Sequence, residues 1–193
     1  MSKRTQSVSR RRQPQTLRRT PGFTLVELVM TIAMAAILLS VAVPSFQEAM
    51  RTNRIAALTN ELSTSLQLAR SEAVSRGRRV TVCKSDDILA TSPACDSSAD
   101  WQDGWLVFLD SNGDGDRNTS TGSTETLLRI SQPSSDTVVI TSNGFPDNVR
   151  YLADGSIWPV TNNRSICIAI SDKVRAIVIE PTGRLSIKNG TCP

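Results

Sequence analysis

Glu27 has the most unusual chemical setting of any charged residue in this sequence. It carries the only charge in residues 23–43, a run of 21 residues that is otherwise apolar or weakly polar. A charge at the centre of a membrane-spanning helix costs about 2.5–3.5 kcal/mol, and a position near the helix end lowers that cost. A carboxylate there still needs a partner, and an ammonium group is the natural one. The alternative is that Glu27 extends towards the lipid headgroups.

Four cysteines form the second chemically distinctive group. They are Cys83, Cys95, Cys167 and Cys192. All follow the apolar run, on the side that the basic N-terminal segment predicts to be periplasmic and oxidising. We expect the local pairing, Cys83 with Cys95 and Cys167 with Cys192, where each bond stabilises by about 2–4 kcal/mol. The two other pairings remain open.

Histidine is absent from the sequence, and so is any CxxC pair. A zinc site is therefore disfavoured, because its usual ligand patterns are missing. A nucleophile activated by histidine is excluded for the same reason. We expect neither enzymatic activity nor a cofactor.

Oxygen-bearing side chains alternate along one glycine-rich segment, DSNGDGD. They are Asp110, Asn112, Asp114 and Asp116. The alternation is typical of an EF-hand calcium loop, which needs a bidentate glutamate at its twelfth position. Counted from Asp110, that position is Thr121, and Glu125 comes four residues too late. A glycine-rich turn is therefore the preferred interpretation, and a calcium site is the alternative.

Two further groups are expected to be structural. A basic cluster complements the dipole at the expected end of a helix, at Arg76, Arg78 and Arg79. A contact with a neighbouring protein or a phosphate is the alternative for this cluster. Aromatic residues make up 4% of the chain, which is few for a base-stacking platform. Core or loop anchoring is therefore expected for Trp101, Trp105 and Trp158.

One long helix is expected to position Glu27 and the basic cluster. As a helix, residues 23–43 would be about 32 Å long, enough to cross a bilayer. Residues 1–22 hold seven Lys or Arg and no acid, so they should stay cytoplasmic. Pro44 should kink the helix or loosen one turn. Beyond it, spacings of three and four form one apolar face, which consists of Ile55, Leu58, Leu62, Leu66, Ala69 and Ala73.

The sequence beyond Gly77, a suitable helix stop, changes to short strands. We expect strands at 78–84, 105–109, 126–130, 138–141, 166–170 and 176–179, and turns at 92–104, 111–123, 142–148 and 161–164. Such spacing favours an antiparallel sheet or sandwich that covers the apolar helix face. The predicted fold class is therefore α+β. Its expected segments are a removable basic leader (1–22), a transmembrane helix (23–43), an amphipathic continuation (44–77) and a periplasmic β-domain (78–193).

The run PGFTLVEL at residues 21–28 resembles the type III signal of type IV pilin-like proteins. The resemblance implies that prepilin peptidase cuts between Gly22 and Phe23 and methylates the new amine of Phe23. It also implies that Glu27, the fifth residue of the processed chain, faces the amine of a neighbouring subunit during assembly. In an ordinary secretory signal the cleavage site follows the apolar segment. Here the glycine precedes that segment, so processing keeps the helix.

The rest of the chain resembles the GspH/FimT family of minor pseudopilins. The resemblance rests on VTVCKSDD at 80–87, WQDGWLVFLDSNGDGDRN at 101–118, ETLLRI at 125–130 and PTGRL at 181–185. It implies a type IV pilin-like fold and an inner-membrane minor pilin that assembles into or primes a type IV pilus, with other pilins or pseudopilins and prepilin peptidase as partners. The pilus is preferred because of the cysteine placement. A subunit of a type II secretion pseudopilus is the alternative, and a place at the filament tip is open.

A DNA-binding pilin for natural transformation is a further alternative. Some FimT-like proteins bind DNA through a GRxR motif near the C-terminus, and this chain has Gly183 and Arg184 but Ser186 at the second arginine. Lys188 is the candidate substitute. So few cations give weak, salt-sensitive binding. The chain from Phe23 carries 15 Lys or Arg against 18 Asp or Glu, which argues against a nucleic-acid-binding domain.

Overall fold

One helix and nine strands build the described part of the protein. The computed structural model describes residues 22–120, 122–131, 137–159 and 164–192. The elements are α1 (Leu25–Arg76), β1 (Val80–Lys84), β2 (Trp105–Leu109), β3 (Leu127–Ser131), β4 (Val139–Asn143), β5 (Asn148–Tyr151), β6 (Ile157–Trp158), β7 (Ser165–Ile170), β8 (Lys173–Ile179) and β9 (Leu185–Asn189). The chain divides into two compact units, Met1–Pro44 and Ser45–Pro193. The expected leader up to residue 21, Thr121 and turn residues 161–163 lie outside the described residues.

The helix α1 confirms the expectation of a single helix of more than 50 residues, because it has 52. Its first part is long and apolar enough to cross a membrane, by length and composition. Pro44 lies inside α1, and the helix continues through it. Proline has no N–H, so one i to i−4 hydrogen bond is missing at this point. The kink or loosened turn expected there stays a prediction.

Gly77 ends α1, as the sequence predicts. Its φ is 60°, in the left-handed region that glycine adopts without steric cost. The N–H of Gly77 donates to the carbonyl of Val74 at 3.4 Å, and the N–H of Arg78 donates to the carbonyl of Ala73 at 3.2 Å. This pair of bonds is the Schellman motif, which satisfies the last carbonyls of a helix.

The second half of α1 buries the apolar face that the residue spacing predicts. Five members of that face are at most 2% exposed: Ile55, Leu62, Leu66, Ala69 and Ala73. Leu58 packs at the margin of the same core. Trp105, on β2, is fully buried and donates its Nε1–H to the hydroxyl of Ser65 at 3.0 Å. The helix thus supplies one wall of the core of the Ser45–Pro193 unit.

Two antiparallel sheets supply the other walls of this core. The five-stranded sheet has the order β3-β2-β1-β5-β6, and the four-stranded sheet has the order β4-β7-β8-β9. Val82 lies opposite Val107 and Val149 in the first sheet. Ile168 lies opposite Ile140 in the second. All five side chains are buried in one apolar cluster with α1, so one core joins the helix to both sheets and confirms the predicted α+β fold.

The five-stranded sheet has a second, smaller apolar cluster. It consists of Cys83, Ile88, Leu106 and Phe108, with Cys95 and Leu127 at its edge. Cys83 and Leu106 are direct partners across β1 and β2, and side chains alternate between the two faces of a strand. This cluster therefore lies on the opposite face from Val82 and Val107. The segment after β1 covers it through Ile88 and Cys95.

The sequence predicted six of the nine strands and missed β5, β6 and β9. In β5 and β9 apolar residues alternate with Asn, Arg, Ser and Lys, which is a strand pattern, but each run has only four or five residues and two apolar ones. β6 has two residues, too few for a pattern. The turn expected at 142–148 overlaps the end of β4 and the start of β5, and β8 begins three residues earlier than expected. Lys173 pairs with Ile170 across the ladder, so tertiary pairing extends the strand into polar sequence.

Candidate assembly site

The residues of the predicted processing site lie directly before α1. Gly22 is exposed, and Phe23 is 78% exposed. Thr24 caps the helix, because the N–H of Glu27 donates to the Thr24 hydroxyl at 3.2 Å and the N–H of Leu28 donates to its carbonyl at 3.1 Å. The sequence analysis missed this role of Thr24. Its signal is the Thr-x-x-Glu spacing of a capping box.

Only one half of that capping box is formed. In a complete box the glutamate carboxylate reaches back to the N–H of the capping residue. Among the described residues, the Glu27 carboxylate makes no hydrogen bond and no ion pair. The first turn therefore has a fixed start, and it carries a carboxylate that has no partner among the described residues.

The apolar side chains that follow Glu27 are also uncovered. The large apolar side chains from Phe23 to Met50 are 49–78% exposed. The hydroxyls of Thr31 and Ser40 donate to the carbonyls three residues earlier, at 2.8 and 2.7 Å, so the few polar groups of the run bond within the helix. An apolar surface of this extent is unstable in water and requires lipid or other apolar helices.

Each disulfide connects two cysteines that follow each other in the order of the chain, which is the pairing that we expected. Cys83 bonds to Cys95, with their Cα atoms 5.7 Å apart, and Cys167 bonds to Cys192, with theirs 5.9 Å apart. The first bond ties β1 to the loop that covers the small apolar cluster. The second ties the C-terminal segment to β7. No free cysteine occurs among the described residues.

The loop 110–118 is held by two buried carboxylates. Asp110 accepts the hydroxyl of Thr81 at 2.8 Å and the N–H of Gly113 at 2.5 Å. Glu125 accepts the N–H of Ser111 at 3.2 Å and the N–H of Asn118 at 2.5 Å. These bonds define the turn that the sequence analysis preferred.

The same loop brings together carboxylates that sequence spacing separates. Oxygens of Asp110, Asp114 and Glu125 lie within 4.8 Å of one another. Asn112 and Asp116 instead form local turns with Asp114, through the amide of Asn112 at 2.6 Å and the N–H of Asp116 at 2.9 Å. The four side chains that alternate in the sequence therefore do not meet around one point, as the ligands of a calcium loop would. Glu125, judged too distant in sequence, is the residue that joins the two aspartates.

The basic cluster at the end of α1 anchors structure, as preferred. Arg76 forms an ion pair with Glu72 one turn earlier. Arg78 donates to the hydroxyl of Ser111 at 2.9 Å. The carbonyl of Arg79 accepts the N–H of Asp110 at 3.1 Å, so the cluster joins the helix end to the loop 110–118.

The C-terminal hairpin presents the two candidate nucleic-acid contacts. Arg184, directly before β9, and Lys188, within it, are exposed, and an even number of residues separates them, so they lie on the same side of the extended chain. Gly183 forms the turn with a φ of 75°. A Cβ atom at Gly183 would lie 2.0 Å from the carbonyl oxygen of Gly155. Gly183 thus serves both the turn and a close approach of two loops.

Arg70 fastens this hairpin to α1. Its Nε–H donates to the carbonyl of Gly155 at 3.1 Å, and its Nη2–H donates to the carbonyl of Thr182 at 3.0 Å. No role was predicted for Arg70 from the sequence. No sequence signal could reveal the contacts of Arg70, since both acceptors are backbone carbonyls more than 80 residues away.

The tryptophans divide into two kinds. Trp101 and Trp105 are 3% and 0% exposed and belong to the main core, as expected. Trp158 is 53% exposed, so the expectation of a core or loop anchor is wrong for it. The reason is alternation along β6, where Ile157 turns towards the core and Trp158 away from it.

Three groups have pKa values that are shifted by burial or by contacts with neighbouring groups. Hydrogen bonds from the hydroxyl and the N–H of Ser156 hold the pKa of Asp154 below its usual range. Burial raises the pKa of Tyr151 well above that of a free tyrosine. The hydrogen bond and ion pair with Glu48 raise the pKa of Lys173.

The fold and the uncovered helix define a pilin-like protein, and comparison with known proteins shows its family. Residues 58–183 match the family of type II transport protein GspH, and residues 17–43 match the prokaryotic N-terminal methylation motif. The chain therefore belongs to the GspH family.

Two solved structures are similar to this chain. The type IV minor pilin FimU of Pseudomonas aeruginosa PAO1 is similar over 71% of this chain and 90% of its own, with 23% identity and a TM-score of 0.52. The minor pseudopilin EpsH of the Vibrio cholerae type 2 secretion system covers 70% of this chain and 97% of its own, with 12% identity and a TM-score of 0.43. No curated protein sequence matches the chain significantly.

Proposed function

We propose that this chain is a minor pilin that is cut after Gly22, stays anchored in the inner membrane through residues 23–43 and joins the complex that starts a type IV pilus. One observation carries the proposal. The apolar half of α1 is uncovered, and the Glu27 carboxylate near its capped start has no partner among the described residues. Lipid and the helices of other pilins are the surroundings that satisfy both features.

The proposed mechanism is assembly through this helix. Cleavage after Gly22 creates an amine at Phe23, which prepilin peptidase methylates and which stays cationic at neutral pH. In an apolar environment an ammonium and a carboxylate attract each other far more strongly than in water. Glu27 of one subunit therefore pairs with the amine of its neighbour, and the pairing aligns adjacent helices. The β-domain then selects which subunits are neighbours.

The proposed topology follows from charge. Seven Lys or Arg in residues 1–22 hold the N-terminus in the cytoplasm. The described β-domain, with its two disulfides, then lies in the oxidising periplasm. Cleavage removes the positive arm and leaves a chain with 15 Lys or Arg against 18 Asp or Glu.

The intact mass of the full chain tests processing. The chain should be purified from membranes of its own host with and without the prepilin peptidase. Loss of residues 1–22 and gain of one methyl group, only when the peptidase is present, is the expected result. An unprocessed chain, or one cut after residue 43, would contradict the assembly mechanism.

Variants of Glu27 test the pairing step separately from processing. Glu27→Gln keeps the size of the side chain and removes its charge. We expect this variant to be cut like the wild type but to be absent from sheared filaments, whereas the neighbouring control Leu28→Ala is incorporated. Incorporation of Glu27→Gln at the wild-type level would contradict a pairing role for the carboxylate.

The destination is tested by complementation. In a host deleted for this gene, the full chain should restore surface pili if it serves a type IV pilus. Restored secretion of a folded exoprotein without pili would instead place it in a type II secretion pseudopilus. The preference for the pilus rests on the placement of the cysteines.

A second candidate function is DNA capture during uptake. It is supported by the exposure of Lys188 on β9 and of Arg184 directly before this strand, on the same side of the chain. Such a site would neutralise few phosphates, so binding should weaken steeply with salt. A gel shift with duplex DNA that disappears in Arg184→Ala with Lys188→Ala would support it, and an unchanged shift would exclude these residues.

A further inference from the structure

Three of the four edge strands, β4, β6 and β9, differ in how their outward backbone groups are bonded. The N–H of Ile140 on β4 donates to the side-chain carbonyl of Gln102 at 3.1 Å. The N–H of Ile157 on β6 donates to the carbonyl of Pro181 at 3.1 Å. Both edges thus have a partner from elsewhere in the chain. The edge of β9 is different.

The outward backbone groups of β9 can be identified from its pairing with β8. The N–H of Glu180 donates to the carbonyl of Arg184 at 2.9 Å, and the N–H of Gly190 donates to the carbonyl of Val174 at 3.0 Å. Hydrogen-bonded and non-hydrogen-bonded pairs alternate along an antiparallel ladder. The groups that point away from β8 are therefore those of Leu185, Ile187 and Asn189. No hydrogen bond reaches them from the described residues.

An apolar groove runs beside this open edge. Leu185 and Ile187 lie opposite Ile179 and Ile177, so they share the face of the sheet that turns towards α1. Ile187 is 48% exposed and Val74 on α1 is 53% exposed. The groove between α1 and β9 has a volume of about 640 Å³ and is lined by Val74 and Leu185 together with Gln67 and Ser71. An open edge with a neighbouring pocket is the surface used when an extended peptide adds a strand to a sheet.

The charges beside β9 determine which kind of strand can pair with its open edge. Lys188 lies on the other face of β9, and Arg184, directly before the strand, lies on the same side as Lys188. Both are exposed, and neither has an ion pair among the described residues. If β9 paired antiparallel with β9 of a second copy, centred on Ile187, the two strands would place four cations on one face. In that register Lys188 would lie diagonally across from both Arg184 and Lys188 of the second copy, within reach of these long side chains, and the like charges would repel each other. A strand with acidic residues on that face would instead be attracted.

We propose that the edge of β9 binds an extended segment of a different pilin-like subunit, with apolar residues facing the groove and acidic residues facing Arg184 and Lys188. The proposal rests on the proposed function as an assembling subunit. It names the surface of the β-domain through which that subunit is selected. Backbone hydrogen bonds supply affinity, and the groove and the two cations supply specificity.

One substitution can remove an outward hydrogen-bond donor of β9 without breaking the pairing of β9 with β8. The N–H of Ile187 points away from β8, so Ile187→Pro deletes only an outward donor, a position where proline is tolerated in edge strands. Ile187→Val keeps the donor and the β-branched side chain and is the matched control. Thermal unfolding of both variants checks that the fold is retained. A double variant, Arg184→Glu with Lys188→Glu, reverses the charge instead.

The chemistry is tested on the full chain in detergent with a labelled peptide of alternating valine and glutamate, read by fluorescence anisotropy. We expect binding that is at least tenfold weaker for the same peptide with lysine in place of glutamate, that is lost in Ile187→Pro and kept in Ile187→Val. The charge-reversed variant should prefer the lysine peptide. Equal binding by wild type and Ile187→Pro, or no binding of the glutamate peptide, would overturn the proposal.

A duplex DNA probe separates this surface from a phosphate site. DNA binding that needs Arg184 and Lys188 but is unchanged in Ile187→Pro, with no peptide binding, would mean that the face serves nucleic acid and would overturn the proposal. Loss of peptide binding in Ile187→Pro, with no DNA binding by the wild type, supports it.

The partner class is tested in the host with a photo-crosslinking amino acid at position 187 of the full chain. We expect a crosslink to another pilin-like subunit, identified by mass spectrometry, and a chain that is cut normally. A crosslink to a second copy, or none in a chain that is cut and incorporated, overturns the β9 proposal alone. A chain that is never cut contradicts the proposed function itself, so the two failures are distinguishable.

Discussion

The two halves of α1 use similar apolar residues for opposite purposes. In the first half, Leu38 is 70% exposed, whereas Leu66 in the second half is fully buried against the sheets. The first half is apolar on all sides, and the second half is apolar on one face only. The chain therefore has two apolar surfaces. Folding buries one of them, and other molecules are needed to cover the other.

Truncation of a leucine in each half should separate these surfaces most strongly. Leu66→Ala leaves a cavity in the core and should lower the free energy of unfolding by about 2–5 kcal/mol. Leu38→Ala removes no contact within the Ser45–Pro193 unit and should leave its stability unchanged. Denaturant unfolding of the full chain in detergent, followed by the fluorescence of buried Trp105, measures both. Equal losses would mean that the two halves do not differ in this way.

Removal of a disulfide should give the next largest effect, and again in only one half. Cys83→Ser with Cys95→Ser opens a loop with a sequence separation of 12 and should cost about 2–4 kcal/mol. The apolar half of α1 has no cysteine, so partition into membranes should not change. Unfolding with and without reductant, and membrane fractionation, check the two parts. As a control, reductant should have less effect on the double variant than on the wild type.

Loss of the helix cap should affect the first half alone. Thr24→Ala removes the acceptor for the N–H of Glu27 and should cost about 0.5–2 kcal/mol of local helix stability. Thr24→Ser keeps the hydroxyl and is the control. Hydrogen exchange at Glu27 should accelerate in Thr24→Ala only, and an equal rate in both variants would argue against the cap.

The smallest effect is expected for the exposed pair at the start of the second half. Because the hydrogen bond and charge of Glu48 raise the pKa of Lys173, the stabilisation is complete below the pKa of an ordinary lysine. It is lost as the pH rises through the raised pKa. Glu48→Gln should return the pKa of Lys173 towards its usual value, as NMR titration of its side chain can show. High salt should act in the same direction, and an unchanged titration in Glu48→Gln would mean that the pair is not formed.

Most of the helix could be predicted from sequence, since its evidence is local. The spacing of Ile55, Leu62 and Leu66 predicts the buried face, and Gly77 predicts the end. Strands β2 and β7 were predicted within one residue because they are nearly continuous apolar runs buried in the core. Strands β5, β6 and β9 were missed because each has two to five residues and only two apolar side chains, too few for a clear pattern.

The candidate site divides in the same way. The setting of Glu27 and the glycine before Phe23 are visible in a run of eight residues. Three other features are not visible in any local run, because each joins segments that are distant in sequence. They are the approach of Glu125 to Asp110, the contacts of Arg70 with the hairpin and the open edge of β9. Long-range pairing depends on the register of whole sheets, which no local pattern contains.

The sequence by itself therefore determined the apolar span, its single carboxylate, the methylation motif and the amphipathic face that must be buried. These follow from local composition and from the helical period. Only the tertiary structure decided the strand orders β3-β2-β1-β5-β6 and β4-β7-β8-β9. Those orders leave the outward backbone groups of β9 without a hydrogen bond from the described residues, because β9 has a neighbouring strand on one side only.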